Sequence, residues 1–331
     1  MAWFSNNKQQ NQQLNITDWL AQLNSDGVNL TIEELIPYQN KTPLIALTPK
    51  KQLASKMSGN YLARSKGRGM EFDEVRDYQV GDDIRAIDWR VTARTGVTHT
   101  KLFHEEVERP VFIASDLTHT MHFGSKLLFK SVQAGHLAAL IAWHAKVKGD
   151  RLGGIVFNET QHLELKPRSR QQGVLHYLHA LCEIQNKQVT PNKLAAKQAF
   201  IDNCARLRQL AKPGALVYLI TDGYQLDENA VRHLALISQH CELVVCLVSD
   251  PLEHHLPENL ITTTVAITDG ENRQDLVLGD QKIAKQYQSF SETLHAQKVT
   301  LLEKAGARVL SLCASMPIEQ QLKNENSQWL R

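Results

Sequence analysis

Val111-Phe112-Ile113-Ala114-Ser115-Asp116-Leu117-Thr118-His119-Thr120 is an apolar run that stops at a carboxylate, with two hydroxyls at alternate positions behind it. The residues from Val111 to Ser115 predict a buried strand. Gly124 marks a turn into a long amphipathic helix, in which Ala134, Leu137, Ala138, Ile141 and Ala145 recur at helical spacing. The same grammar repeats downstream. Strands are expected at 152–157, 215–221, 242–248 and 308–313, and helices at roughly 171–185, 194–211 and 228–239. A further amphipathic helix carrying Ile283, Tyr287, Phe290 and Leu294 precedes the last strand. Residues 161–166 instead alternate polar and apolar, the pattern of a half-exposed edge strand. Near-continuous apolar strands separated by helices need cover on both faces. The reading is therefore a doubly wound α/β domain, mostly parallel, with one antiparallel edge strand.

The composition narrows the function classes. With 331 residues, 42% of them hydrophobic, the chain has enough apolar surface for a full core. Its 37 basic and 35 acidic residues leave a formal charge of +2, too weak a field to draw the whole molecule to nucleic acid or membrane. Five scattered cysteines without a C-x-x-C pair argue against a disulfide scaffold or a zinc ribbon and suit a reducing compartment. No apolar run approaches the ~18 residues that cross a bilayer, and no secretory signal is apparent, so the cytoplasm is the expected location.

Four regions follow in order. Residues 1–15 form a polar tail rich in Asn and Gln, and 16–50 a short helical appendage with a capping box at Thr31-Ile32-Glu33-Glu34. Residues 51–106 are a Gly/Asp/Arg-rich segment, and 107–331 are the α/β domain. Between Lys50 and Gly69 six basic residues stand without an acidic one, a solvated loop by default and a nucleic-acid site as the alternative. Around the Gly81-Asp82-Asp83 turn, Arg76, Arg85, Arg90 and Arg94 have ready partners in Asp82, Asp83 and Asp88. This block, with Trp89, reads as a structural network or as a docking surface.

The chemistry concentrates at two strand ends of the same form, Ile113-Ala114-Ser115-Asp116 and Ile220-Thr221-Asp222-Gly223. If those strands are neighbours, Asp116, Thr118, Thr120 and Asp222 share one crevice. Such an all-oxygen set suits Mg²⁺, Mn²⁺ or Ca²⁺ rather than zinc. No G-x-x-x-x-G-K-[ST] and no G-x-S-x-G motif occurs.

The D-x-T-x-T loop, the edge strand and the later Thr221-Asp222-Gly223 resemble a von Willebrand factor A domain with its metal-ion-dependent adhesion site. More specifically, Gly67 to Arg76, Gly81 to Arg94 and Asp250-Pro251-Leu252-Glu253 resemble the bacterial family catalogued as domain of unknown function 58, from about Ser58 to Leu322. That resemblance implies association with MoxR-type AAA+ ATPases and their client proteins. It also implies that Thr118 and Thr120 bind Mg²⁺ directly, that Asp116 and Asp222 act through water, and that a partner's carboxylate completes the shell. Both hydroxyls are Thr where Ser is commoner. Ser169 is the candidate for the further hydroxyl, although Arg168 and Arg170 beside it repel a cation. The competing reading is a metal-free site held by its own hydrogen bonds.

The expected function is a non-enzymatic protein-interaction module, without membrane insertion. A Mg²⁺-dependent hydrolase using the same oxygen cluster is the alternative from another class, and nucleic-acid binding through 50–69 is a third.

Overall fold

The computed structural model describes residues 16–45, 71–104, 109–187, 190–256, 263–268 and 273–324. The polar tail 1–15 and the basic segment 50–69 lie outside the described residues. The chain opens with α1 (Ile16–Leu23) and α2 (Ile32–Leu35), followed by a 3-10 segment at Ile36–Leu44. The capping box is formed: the Glu34 amide donates to Thr31 Oγ1, and the Thr31 amide to the Glu34 carboxylate at 2.7 Å. An antiparallel hairpin follows, β1 (Glu71–Asp77) against β2 (His99–His104), with α3 (Trp89–Thr95) in its long connection.

The main domain then alternates as β3 (Pro110–Asp116), α4 (Lys130–Val147), β4 (Arg151–Phe157), β5 (His162–Arg168), α5 (Arg170–Gln185), α6 (Lys193–Leu210), β6 (Leu216–Thr221), α7 (Glu228–Ser238) and β7 (Glu242–Ser249). A hairpin of β8 (Thr263–Thr268) and β9 (Arg273–Leu278), then α8 (Gln281–Lys304), β10 (Arg308–Cys313) and α9 (Ile318–Asn324), complete it. The six-stranded sheet runs β10-β7-β6-β3-β4-β5, parallel throughout except for β5. From β3 the chain steps outward to β4 and β5, then returns to the other side of β3 for β6, β7 and β10. That reversal leaves a crevice between the carboxyl ends of β3 and β6, where open α/β sheets place their ligands.

Successive strand residues serve opposite faces. Val111 and Ile113 pack with α4 and α5, whereas Phe112 and Ala114 join Phe200, Leu207, Leu234 and Leu302 from α6, α7 and α8. Along β5 the burial alternates from exposed to partly or fully buried, and Lys166, Pro167 and Arg168 blunt this outer edge.

Helix α4 departs from the sequence reading. Its periodicity suggested one solvated face, yet 16 of its 18 residues are buried. The cause is the N-terminal segment, which lies across it. Trp143 Nε1 donates to the Leu35 carbonyl at 3.2 Å, and Leu30 fills the space above Gly135, where a Cβ would stand 2.5 Å from its Cδ1. Gln185 accepts the Leu30 amide at 2.8 Å and donates to the Val28 carbonyl. Leu30, Leu35 and Tyr38 are almost fully buried there, the two leucines each contributing about 1.5–3 kcal/mol. The expected appendage is thus the outer cover of the central helix.

Candidate interaction site at the carboxyl ends of the strands

Strands β3 and β6 are direct neighbours, with Ser115 opposite Ile220, so Asp116 stands level with Thr221 and one residue short of Asp222. The crevice inferred from the sequence is therefore formed. Each Asp116 oxygen is spoken for: Oδ1 accepts the Thr118 amide at 3.0 Å and its hydroxyl at 2.7 Å, and Oδ2 accepts the Thr221 hydroxyl at 2.7 Å. Thr120 Oγ1 lies 3.5 Å from Thr118 Oγ1 at the more open side of the loop. Asp222 Oδ1 accepts the Tyr224 amide at 3.0 Å, and its Oδ2 accepts Lys130 Nζ at 2.8 Å.

Lys130 is the residue that decides the chemistry here. Its side chain is 1% exposed, and its ammonium also reaches Glu253 Oε1 at 2.6 Å. Glu253 is held by a capping box in which its other oxygen accepts the Asp250 amide, and Asp250 in turn accepts the Ser125 amide and hydroxyl. Burial disfavours the Lys130 charge, but Asp222 and Glu253 outweigh it and hold the ammonium above its ordinary pKa. Burial likewise opposes ionisation of Asp222, and Lys130 overcomes it, so this carboxyl sits below the usual range. Asp116 has no such partner. Burial, then the Asp222 charge, push it up to about 7.

The oxygen set does not fit a divalent cation shared by both carboxylates. Asp222 has given its charge to an internal ammonium, and both Asp116 oxygens already accept internal donors. The Thr118 and Thr120 hydroxyls are the protein oxygens left to a cation, the first of them already donating to Asp116, so water and a partner would have to supply the rest of its shell. Ser169 belongs elsewhere. The antiparallel run of β5 pairs Arg168 with Leu152 near the start of β4, whereas Asp116 pairs with Phe157 at its end, five residue steps or about 16 Å away. The loop that does reach the site is the one before β5, where Glu159 Oε1 accepts the His119 amide at 2.6 Å and contacts its ring.

Beside the ion triad a cavity of about 240 Å³ opens under α8, lined by Asp222, Tyr224, Glu253, Tyr287, Ser291 and Lys298 among others. Lys298 Nζ donates to the Asp222 carbonyl at 3.0 Å and lies 3.5 Å from the Tyr224 ring centre. Burial lowers its pKa despite the attraction of Asp222 and Glu253.

The arginine–aspartate block occupies the arm made of β1, α3 and β2, and it is wired differently from the expected pairing. Only Arg76 meets its carboxylate, donating to Asp82 Oδ1 at 2.6 Å. Asp82 Oδ2 accepts the Gln79 amide, Asp83 caps the 3-10 turn through the Arg85 amide, and Asp88 caps α3 through the Arg90 and Val91 amides. Those amide bonds, Val91 first, hold the Asp88 carboxyl below its ordinary range. Apart from the Arg76–Asp82 pair and a Lys101–Asp88 contact at 3.5 Å, these bonds of the carboxylates come from backbone donors. Among the described residues Arg85, Arg90 and Arg94 make no side-chain ion pair.

Lys130, Thr221, Glu253 and Lys298 were missed as site residues. One signal for Lys130 was present, because a lysine opening a helix opposes the helix dipole and needs a compensating carboxylate. Asp250-x-x-Glu253 was legible as a capping box.

No helix among the described residues is long and apolar enough to cross a membrane. Two curated relatives, uncharacterized protein Mb1516 of Mycobacterium bovis and uncharacterized protein Rv1480 of Mycobacterium tuberculosis, are each 28% identical over 214 residues, 65% of this chain and 66% of theirs. The chain thus spans just under two thirds of these relatives' length. Among solved structures, the conserved hypothetical protein BatB of Bacteroides thetaiotaomicron is 15% identical, covering 65% of this chain and 94% of that one, with a TM-score of 0.39. A von Willebrand factor type A protein from Catenulispora acidiphila is 12% identical, covering 45% and 35%, with a TM-score of 0.30. The family model described as protein of unknown function DUF58 matches residues 74–299, which take in most of the arm, the strand-end site and the cavity under α8. With more than half of its 331 residues inside that match, the chain belongs to the DUF58 family.

Proposed function

We propose that this chain is a non-enzymatic protein-interaction module of the cytoplasm, a partner or adaptor of a MoxR-type AAA+ ATPase in the maturation or remodelling of client proteins. The observation that carries the reading is the closed charge network at the strand ends. A catalytic carboxylate must touch its substrate, whereas Asp116 is 0% and Asp222 4% exposed, each held by internal donors. A Mg²⁺-dependent hydrolase would need both carboxylates turned toward metal, against the pull of Lys130 on Asp222. The choice of partner rests on the sequence resemblance, and the choice of mechanism on the ion triad, with Lys130 in the role a bound Mg²⁺ was expected to fill.

The test is size-exclusion chromatography of the purified chain with the MoxR-type ATPase of the same organism in the presence of ATP, with the ATPase rate measured in parallel. Co-elution and an altered rate are expected. Separate elution with an unchanged rate overturns the partnership. Turnover of p-nitrophenyl phosphate that Asp222→Ala abolishes would establish the hydrolase instead.

A further inference from the structure

We propose that the tip of the arm docks an acidic segment of a partner protein, one that presents carboxylates around an apolar recess for Trp89. This inference rests on the chain being an interaction module, and it names the surface and the chemistry of what it meets.

Large apolar side chains crowd a short stretch of this arm, where no residue of the 3-10 turn Ile84–Ala86 or of α3 is buried. Val80 is fully exposed, Ile84 is 66%, Trp89 67% and Val97 53% exposed. Leaving apolar side chains of this size together in water is unfavourable, so a group of them marks a surface that another molecule covers. Beside them stand Arg85, Arg90 and Arg94. Arg90 and Arg94 are four residues apart and share a face of α3. Trp and Arg are the residues most enriched where binding energy concentrates, and an unpaired guanidinium pairs bidentately with a carboxylate.

The arm is also pre-shaped. Asp83 and Asp88 cap its two helical turns, Gly96 closes α3 at φ +76°, and Thr92 Oγ1 accepts the His99 amide at 3.1 Å. A surface ordered in advance loses little entropy on binding. This explains why the carboxylates went to backbone amides: they build the scaffold and leave the guanidinium groups to the partner.

Charge complementarity favours an acidic protein over nucleic acid. Residues 71–104 hold seven acidic and five basic residues, so the cationic face is local, and a phosphate backbone laid along the arm would run into exposed Asp77 and Asp83. Trp89 is also the one exposed aromatic side chain among the arm residues whose burial is described, where stacking of successive bases needs a series.

The experiment is fluorescence anisotropy of a labelled synthetic peptide of alternating Glu and Leu residues with the full chain, using a single-stranded oligonucleotide of equal charge as competitor. Wild type should bind the peptide, and both the Arg85→Glu/Arg94→Glu double variant and Trp89→Ser should weaken it by about tenfold or more. Thermal midpoints of the variants verify that they are folded. The proposal is overturned if wild type shows no peptide binding, if both folded variants bind as wild type does, or if the oligonucleotide displaces the peptide at equal concentration. The peptide contains no ATPase, so failure of the ATPase partnership leaves this result standing. Conversely, co-elution with the ATPase that survives both variants overturns the arm alone.

Discussion

Lys130 occupies the first position of α4, where the helix dipole disfavours a cation, and it is held there by Asp222 and Glu253. Removing one member of a buried ion pair leaves the other uncompensated, at a cost of about 3–5 kcal/mol. Lys130→Met should lose stability of that order in urea denaturation and regain part of it on addition of Mn²⁺, because Asp222 is then free to meet a metal. The wild-type midpoint should not respond to Mn²⁺, and a rise would sink the internal-cation reading. Asp116 yields a pH-dependent prediction. Its carboxyl is raised to about 7 in the folded chain, while an unfolded aspartate titrates near 3.9. The folded state therefore binds the proton more tightly, a contribution present in full below about pH 4 and lost as the pH rises through about 7. Asp116→Asn removes this titration. Urea midpoints should show the wild type losing stability relative to the variant from about pH 4 to pH 7, with a level difference above about pH 8. Wild type gaining stability relative to the variant over that range would refute the assignment. The two aspartates and two threonines were legible because they end predicted strands or follow one closely. Lys130 and Glu253 were not, because a charge pair across 123 residues exists only once the sheet has formed.

At the scale of the elements, close approach is concentrated at Gly154 of β4. A Cβ there would stand 2.1 Å from the Ile113 carbonyl oxygen and 2.8 Å from the Tyr177 ring, and neither backbone nor buried ring has room to yield. Gly149, before β4, has a left-handed φ of +76° but nothing within 4 Å of its would-be Cβ. Gly154→Ala should therefore cost about 3 kcal/mol or more and Gly149→Ala about 1 kcal/mol in chemical denaturation. The reverse order would contradict the packing. Strands β3, β4, β6 and β7 were readable because burial on both faces makes them nearly continuously apolar, and the edge strand β10 because its buried Leu310 and Leu312 alternate with half-buried neighbours. The arm strand Glu71-Phe72-Asp73-Glu74-Val75-Arg76-Asp77 gives no such signal, since it is held by its ladder with β2. Pattern alone also misread α4, because a helix covered by another chain segment looks amphipathic until that segment is placed.

Across the whole molecule, the sheet gathers a buried charge network at one end, and the arm is a second, separate surface whose elements pack chiefly on one another among the described residues. The doubly wound architecture was legible from the alternation of periods, whereas the strand order, which sets β3 beside β6, entered only as a condition on the site. The placement of the loops was harder. Ser169 was assigned to the carboxyl end of the sheet because its hydroxyl suited the expected site, but the antiparallel direction of β5 carries it to the other end. The cover over α4 bears on how the chain is made. Leu30 meets Gln185, 155 residues later, and Leu35 meets Trp143. During synthesis this segment leaves the ribosome well before α4 and α5 exist, so Leu30, Leu35 and Tyr38 travel uncovered until both helices have emerged. The first described segment to be made is thus among the last to find its place, and the nascent chain spends that interval with its stickiest residues in reach of chaperones.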